Sequence, residues 1–484
     1  MPKLNLNVVP MPQQDPSARI HNFDEVALGY TPEMAREEVS RCIQCKNRPC
    51  VEGCPVGIDI PVFLNALRSG DLPGAAEVLY AANSFPAICG RVCPQETQCQ
   101  ARCTLNKRQA PVQIGRLERF VADWAREQKW RRAGVAPATG HRVAIVGAGP
   151  AGLCAAADLA KLGHSATIFE ALHKPGGVLA YGIPSFRLPR DVIQAEVDEV
   201  RQLGVEIRTD WVIGKTATID ELLDEGYEAV FVATGAGLPM FLHCPGENLN
   251  GVYSANEFLT RVNLMGASRF PEYDTPIRVP RRVGVVGGGN VAMDAVRSSL
   301  RLGAEEAYIV YRRSEKEMPA RHEEYEHAKE EGVRFLLLTN PVRILGDEKG
   351  NVVGMECLRM ELGEPDERGR RRPIPVKGSE FVVELDAVIV ALGTSPNPLV
   401  RRATPDLRAG AHGTIVADPA TGRTAKPRVW AGGDAVTGAA TVILAMGEGR
   451  QAAADIDRFL RGQGPAEWPG VDLERVSHAV AATA

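Results

Sequence analysis

Residues 142–152 read R-V-A-I-V-G-A-G-P-A-G, a short apolar run that passes into Gly147, Gly149 and Gly152. In a strand-turn-helix unit, three glycines at this spacing have separate tasks. The first makes the tight turn, the second lets a pyrophosphate approach the backbone, and the third lets the helix pack on the strand. Glycine-rich turns also occur where a helix merely packs close to a sheet, so the pattern counts only in context. Here the context is present. An Ala-rich helical segment follows at 153–162, then a second apolar strand at 165–169 ending in Glu170, where an acidic side chain takes ribose hydroxyls. Pro150 and Ala151 lie inside the turn and are counted with the cofactor site.

The pattern recurs. Residues 282–292 read R-V-G-V-V-G-G-G-N-V-A, again an apolar strand, then Gly287, Gly289 and a helix opening at Asn290. Two further apolar runs, Y-E-A-V-F-V-A-T-G ending at Gly235 and L-D-A-V-I-V-A-L-G ending at Gly393, each close one unit. The chain therefore carries two nucleotide-binding units, and this internal repeat is its strongest organisational signal. In the second unit the strand at 307–311 ends in Arg312-Arg313-Ser314 and not in an acid. Paired guanidinium groups suit a 2′-phosphate, so the second unit is expected to prefer NADPH to NADH.

At 484 residues the length suits about three domains, and 44% hydrophobic content is ample for their cores. The net charge of −4, with no long single-sign block, argues against a nucleic-acid surface or an anionic membrane. No run has the length of a signal peptide core or a membrane span, which points to a cytoplasmic protein with small-molecule or protein partners. In that reducing compartment eleven cysteines need a reason other than disulfides.

Eight of the eleven lie between residues 42 and 103, as C-x2-C-x4-C-x3-C-P (Cys42, Cys45, Cys50, Cys54) and C-x3-C-P-x4-C-x3-C (Cys89, Cys93, Cys99, Cys103). Structural zinc favours repeated C-x2-C pairs or histidine partners, and only Cys42 with Cys45 has that spacing. Iron-sulfur clusters take four thiolates each from short loops that often end in Cys-Pro, and Cys54-Pro55 and Cys93-Pro94 are two such corners. Two 4Fe-4S clusters fit best. Around them, residues 60–79 and 114–124 have helical periodicity, so the first domain is small and helical. Residues 1 to about 30 read as an extended arm before Thr31, which can cap a helix from Pro32.

Beyond Glu170, Gly176-Gly177 and the Gly/Pro-rich loop up to Pro189 have the composition of a ligand cover. V-W-A-G-G-D at 429–434 precedes a helical segment at 440–459 and can set Asp434 on a polyol hydroxyl. The expected organisation is α/β: a small helical cluster domain (1–138) and two Rossmann-like domains. The FAD-binding domain is split (139–279 and 394–484) around the NADPH-binding domain (280–393).

The cysteine blocks, G-A-G-P-A-G, G-G-V-L-A-Y-G-I-P, G-G-G-N-V-A-M-D, Y-R-R-S and W-A-G-G-D-A together resemble the small (beta) subunit family of NADPH-dependent glutamate synthase, over nearly the whole chain. The same module forms the large subunit of the bifurcating ferredoxin:NADP oxidoreductase and the N-terminal half of dihydropyrimidine dehydrogenase. The resemblance implies an FAD site with Gly147, Gly149, Gly152, Glu170, Gly176, Gly177 and Asp434, and an NADPH site with Gly287, Gly289, Asn290 and Ala292. It implies that Cys42, Cys45, Cys50 and Cys103 hold one cluster. Cys54, Cys93, Cys99 and a carboxylate, Glu118, hold the other, which leaves Cys89 unligated. The implied activity is transfer of hydride from NADPH to FAD and of single electrons through the clusters to a protein partner with a second flavin or cluster site. That partner is a glutamate synthase large subunit or a bifurcating small subunit, and the electrons leave across the surface of the arm and cysteine loops. Deleting the arm should then spare NADPH-dependent dye reduction and impair delivery. Two rivals stand beside this reading. A flavin disulfide reductase would need a cysteine pair by the flavin, but Cys154, Cys244 and Cys357 are singly placed. A non-catalytic assembly subunit would not reduce its flavin with NADPH.

Overall fold

Two parallel sheets carry the two glycine turns, and both are assembled from chain segments far apart in sequence. A computed structural model describes residues 7–130, 134–277, 280–365, 369–463 and 468. The ends of the sequence-derived outer domains thus lie partly outside the described residues.

The first sheet has the order Val429–Ala431, Ala229–Val232, Arg142–Val146, Ser165–Phe169, Glu206–Arg208, all parallel. Its central strands are buried apolar runs, as strands covered on both faces must be. The last strand in sequence joins at one edge, so the first nucleotide unit is discontinuous. The second sheet runs Val252–Ser254, Ala387–Val390, Arg282–Val286, Glu306–Tyr311, Arg334–Leu337, again parallel. Its edge strand Val252–Ser254 and the helix Ala255–Asn263 precede residue 280, where the sequence reading began the second unit. An early glycine-poor segment has no motif to betray which sheet it will join. A short antiparallel pair, Leu238–Pro239 with Thr394–Ser395, connects the units.

Between Arg334–Leu337 and Ala387–Val390 the chain makes an antiparallel meander of Thr339–Gly346, Val352–Pro365, Arg371–Pro375 and Phe381–Glu384. The repeat of nucleotide motifs does not foretell this insertion.

The N-terminal domain is helical. Thr31 caps Pro32–Ser40 by accepting from the Met34 N–H. The expected long helix at 60–79 is two, Ile60–Arg68 and Leu72–Ala82, broken at Gly70, whose φ of 82° suits glycine. Pro86–Val92 packs so closely on Ile114–Glu127 that a Cβ at Gly90 would lie 2.6 Å from the Arg119 nitrogen.

The N-terminal arm departs most from expectation. It is a strap and not a free flank. Arg19 is 1% exposed and pairs with Glu331 at 2.7 Å and Glu330 at 2.8 Å, on the second nucleotide unit. Glu25 pairs with Arg91 and Arg119 of the cluster domain, and Val26 donates its N–H to the Phe186 carbonyl of the Gly/Pro loop. A polar, Pro-containing sequence reads as extended; its long-range ion pairs have no local signature.

Candidate cofactor and cluster sites

The three glycines of the first turn behave differently, each for the physical reason its position requires. Gly147 has φ 108°, and a Cβ there would meet the Ala233 carbonyl oxygen at 2.5 Å. At Gly152 a Cβ would fall 2.0 Å from the Gly147 oxygen, so only glycine lets the helix Pro150–Lys161 sit this close. Nothing lies within 4 Å of a Cβ at Gly149, so that position faces open space at the helix N-terminus, where N–H groups can meet a pyrophosphate. The second unit repeats the arrangement. Gly287 would meet the Ala391 oxygen at 2.3 Å, Gly289 faces open space, and Ala292 is fully buried.

Distant residues converge on the first turn. A Cβ at Gly177, whose φ is 53°, would lie 2.8 Å from the Gly149 Cα, and Gly176 donates its N–H to the Ala148 carbonyl. The Glu170 carboxylate, 6% exposed, accepts from the Ala148 and Leu172 N–H groups at 2.7 and 2.8 Å; burial raises its pKa against those bonds. Asp434 follows Gly433, which would put a Cβ 3.0 Å from that of Ala151. Burial pushes the Asp434 carboxyl up to about 6. Glu448, which the sequence reading missed, accepts from the Gly433 N–H at 2.6 Å and is pushed by burial to about 7. Its only signal was a carboxylate nearly two helical turns inside the segment after Gly-Gly-Asp. Pro150 and Ala151 are buried at this junction. The cradle is apolar, glycine-lined and acid-edged, which fits a flavin dinucleotide.

The Gly/Pro loop joins the two units. Arg187 of F-R-L-P holds both oxygens of Asp294, from G-G-G-N-V-A-M-D, at 2.6 and 2.8 Å. Asn263 donates to the Tyr181 and Gly182 carbonyls. In the second unit the Asn290 side chain accepts from the Arg321 N–H at 2.9 Å, which orders the segment over the glycine turn. Arg312 is exposed beyond the strand Glu306–Tyr311, while Arg313 donates through Nε to the Arg371 carbonyl of the meander at 3.0 Å. The two arginines thus differ: one is open to a phosphate and the other is partly anchored.

The cysteines sort into two neighbouring groups. Cys42, Cys45, Cys50 and Cys103 line one cavity with Pro49 and Thr104; burial, with the neighbouring thiols behind it, raises the pKa of Cys42 and pushes that of Cys50 to about 12. Cys54, Cys93, Cys99 and Glu118 form the second group. Burial pushes Cys54 to about 11, and Glu118 acts on all three thiols. Glu118, 6% exposed, is itself pushed by burial to about 8, with one protein hydrogen bond, from Asn83 Nδ2 at 2.8 Å. Three buried acids and a half-buried thiol this close together can ionise together only with a cation among them. Among the described residues no three His, Cys, Asp or Glu side chains close on a point for a single metal ion. A donor set of thiolates spread around a cavity suits a multi-iron group.

Asn83 was missed by the sequence reading. Its Oδ1 accepts from the Phe85 N–H, which turns its Nδ2 toward Glu118. Cys89 is fully buried, 3.6 Å from Met446 Sδ and 3.7 Å from Asn83 Oδ1, and packs against the flavin-domain helix Val442–Leu460.

Comparison with known proteins agrees with this division. Residues 19–130 match the family model described as dihydropyrimidine dehydrogenase domain II, 4Fe-4S cluster, and residues 141–449 match pyridine nucleotide-disulphide oxidoreductase. Mycobacterium tuberculosis FprA in complex with NADPH shares the fold over 72% of this chain and 90% of its own, with a TM-score of 0.56 and 21% identity. The chain is 40% identical to the NADP(+)-dependent formate dehydrogenase subunit beta of Moorella thermoacetica, over 85% of its own length and only 60% of that subunit. To the glutamate synthase [NADPH] small chain of Escherichia coli (strain K12) it is 37% identical, over 94% of its own length and 98% of that chain. With a 4Fe-4S domain ahead of a pyridine-nucleotide oxidoreductase domain, and this near end-to-end match, the chain belongs to the glutamate synthase small-chain family of oxidoreductases.

Proposed function

We propose that this chain is an electron-input subunit that oxidises NADPH at FAD and passes single electrons through two 4Fe-4S clusters to a protein partner, a glutamate synthase large chain. The observation that carries the reading is the graded burial of the two cysteine groups. Cys93, Cys99 and Glu118 are buried, and Cys54-Pro55 abuts the flavin-domain helix, where a Cβ at Gly447 would lie 3.1 Å from the Pro55 oxygen. Cys42, Cys45, Cys50 and Cys103 are only half-buried, beside exposed Ile43. Cys50 acts on Cys99, so the groups are adjacent. This order supports a path from the flavin cradle through the inner group to the outer group and the surface.

When bound, the flavin converts a two-electron hydride donor into one-electron traffic for the clusters. The residues bind and orient. Gly147, Gly149, Gly152, Gly177, Glu170 and Asp434 would hold FAD; Gly287, Gly289, Asn290 and Arg312 would hold NADPH, with Arg313 in support. Arg187, locked to Asp294, draws the loop over the space between the two units and excludes water from it.

The test is anaerobic. Reconstituted protein should carry about eight irons per chain and its flavin should bleach with NADPH. Glu118→Ala should lose one cluster selectively, because a carboxylate is a harder ligand and its loss opens one iron. Cys45→Ser should leave flavin reduction intact and stop delivery to the glutamate synthase large chain. Zinc in place of iron, or flavin unreduced by NADPH, overturns the reading.

A further inference from the structure

One cavity of the described structure lies away from both glycine turns. It has a volume of about 200 Å3 and sits where three parts of the chain meet: the N-terminal strap (Met11 and Glu25 to Ala27), the cluster domain, and the second nucleotide unit from Arg321 to His327. That is below the roughly 300–1,000 Å3 of pockets for drug-sized ligands.

Six arginines line it against four glutamates. Most of these guanidinium groups are neutralised close by. Arg91 and Arg119 are each held by Glu25 and Asp123, Arg187 by Asp294 and Glu324, and Arg297 by Glu324 and Glu331. Two are held more loosely. Arg116, from the cluster domain, reaches Glu323 only at 3.6 Å, and Arg321, from the nucleotide unit, pairs with Glu323 at 3.0 Å and donates to the Arg91 carbonyl and Gln95 Oε1 at 2.8 and 3.3 Å. Arg321 Nε, buried, has no hydrogen-bond partner, and Glu96 stands 3.9 Å away. His327 lines the same cavity at 5% exposure, and its buried Nε2 also has no partner. Unpaired buried polar atoms are costly, so such groups call for a ligand.

We infer that this junction cavity binds a small dianionic metabolite, a short dicarboxylate or a phosphate monoester, between Arg116, Arg321 and His327. The guanidinium fork matches carboxylate and phosphate oxygens in pairs, and the partly enclosed setting strengthens the attraction over that in bulk water. The bound anion would bridge the cluster domain and the nucleotide unit under the strap. It would also bear on Arg321, whose backbone N–H is held by Asn290 beside the second glycine turn. The inference is independent of the electron-transfer reading, because it uses none of the residues assigned to FAD or the clusters.

Calorimetric titration of the holoprotein at low ionic strength, with succinate and separately with inorganic phosphate, tests it. Saturable one-site binding is expected for at least one probe. Succinate alone identifies a dicarboxylate site, phosphate alone a phosphate ester, and both the shared chemistry. Arg116→Gln should weaken that binding at least tenfold with an unchanged melting temperature in the absence of anion. If that variant melts lower, His327→Gln decides by the same tenfold criterion. Absence of saturable binding overturns the inference, as does binding that survives both substitutions, which would belong to the nucleotide turns.

Discussion

At the scale of single residues, the second nucleotide unit separates two arginines that look equivalent in Y-R-R-S. Arg312 is exposed, whereas Arg313 spends its Nε on the Arg371 carbonyl. A charge-assisted bond to phosphate is worth about 1.5–3 kcal/mol, so Arg312→Ala should weaken NADPH binding at least tenfold and leave NADH nearly unchanged. Arg313→Ala should have the smaller effect on NADPH and also lower the melting temperature through the lost meander contact. Equal losses for both nucleotides in a fluorescence titration would show that the arginines only support the fold. Glu448 makes a second residue-scale prediction. Its folded pKa of about 7, raised by burial, lies above that of the unfolded chain, so the folded form binds the proton more tightly. Stability from this group is therefore full at low pH and is lost as pH climbs from about 4.5 through about 7. In nucleotide-free protein Glu448→Gln keeps an acceptor for Gly433 and removes the charge. It should raise stability at pH 8 by about 1–3 kcal/mol and flatten the melting temperature between pH 5 and 8. A variant with an unchanged pH profile would place that titration elsewhere.

At the scale of elements, the strand-turn-helix unit turns on which side of each glycine is occupied. Gly149 has φ −81°, a conformation open to any residue, and empty space around its Cβ position. Gly149→Ala should therefore fold with nearly wild-type stability, yet purify with little flavin, because the methyl group stands where the pyrophosphate approaches. Gly152→Ala drives a methyl into the Gly147 carbonyl and should cost about 1–3 kcal/mol or more of stability. Melting curves and flavin content measured on the same preparations distinguish the two. The reverse pattern would refute the assignment of tasks. The helix Val442–Leu460 uses the same device from the other side, since a Cβ at Gly449 would meet the Ala151 oxygen at 2.3 Å. Two glycine-bearing helices thus hold the C-terminal segment against the first turn, and this is how Asp434 reaches it.

At the scale of the whole molecule, the strap changes what the N-terminal arm is for. Arg19, Arg297 and Arg301 surround Glu331, and despite burial Arg301 and Arg297 hold its carboxyl well below the usual range. Deleting residues 1–30 leaves Glu331 two partners and Arg91 one, so each site is weakened and not orphaned. With charged hydrogen bonds at about 1.5–3 kcal/mol each, the deletion should lower the melting temperature and slow NADPH-dependent dye reduction, because the strap also holds Phe186 of the loop between the nucleotide units. Dye reduction at the full rate well below the melting temperature would return the arm to the role of a partner surface alone.

The two glycine turns, the strands that enter them and the cysteine blocks were legible from the order of residues, because turns, caps and ligand loops are local and their geometry demands particular residue types. The split of the first nucleotide unit was legible too, through V-W-A-G-G-D. Other features were set by burial and long-range pairing. Val252–Ser254 belongs to the second sheet through hydrogen bonds to a strand more than a hundred residues later. Asn83 acquires its place beside Glu118 only when Pro86–Val92 packs on Ile114–Glu127. The loosely held arginines at the junction cavity are in the sequence as ordinary charged positions. Only the tertiary structure decides how many carboxylates stand within reach of each, because charge pairing inside a fold depends on distance and burial and has no period along the chain.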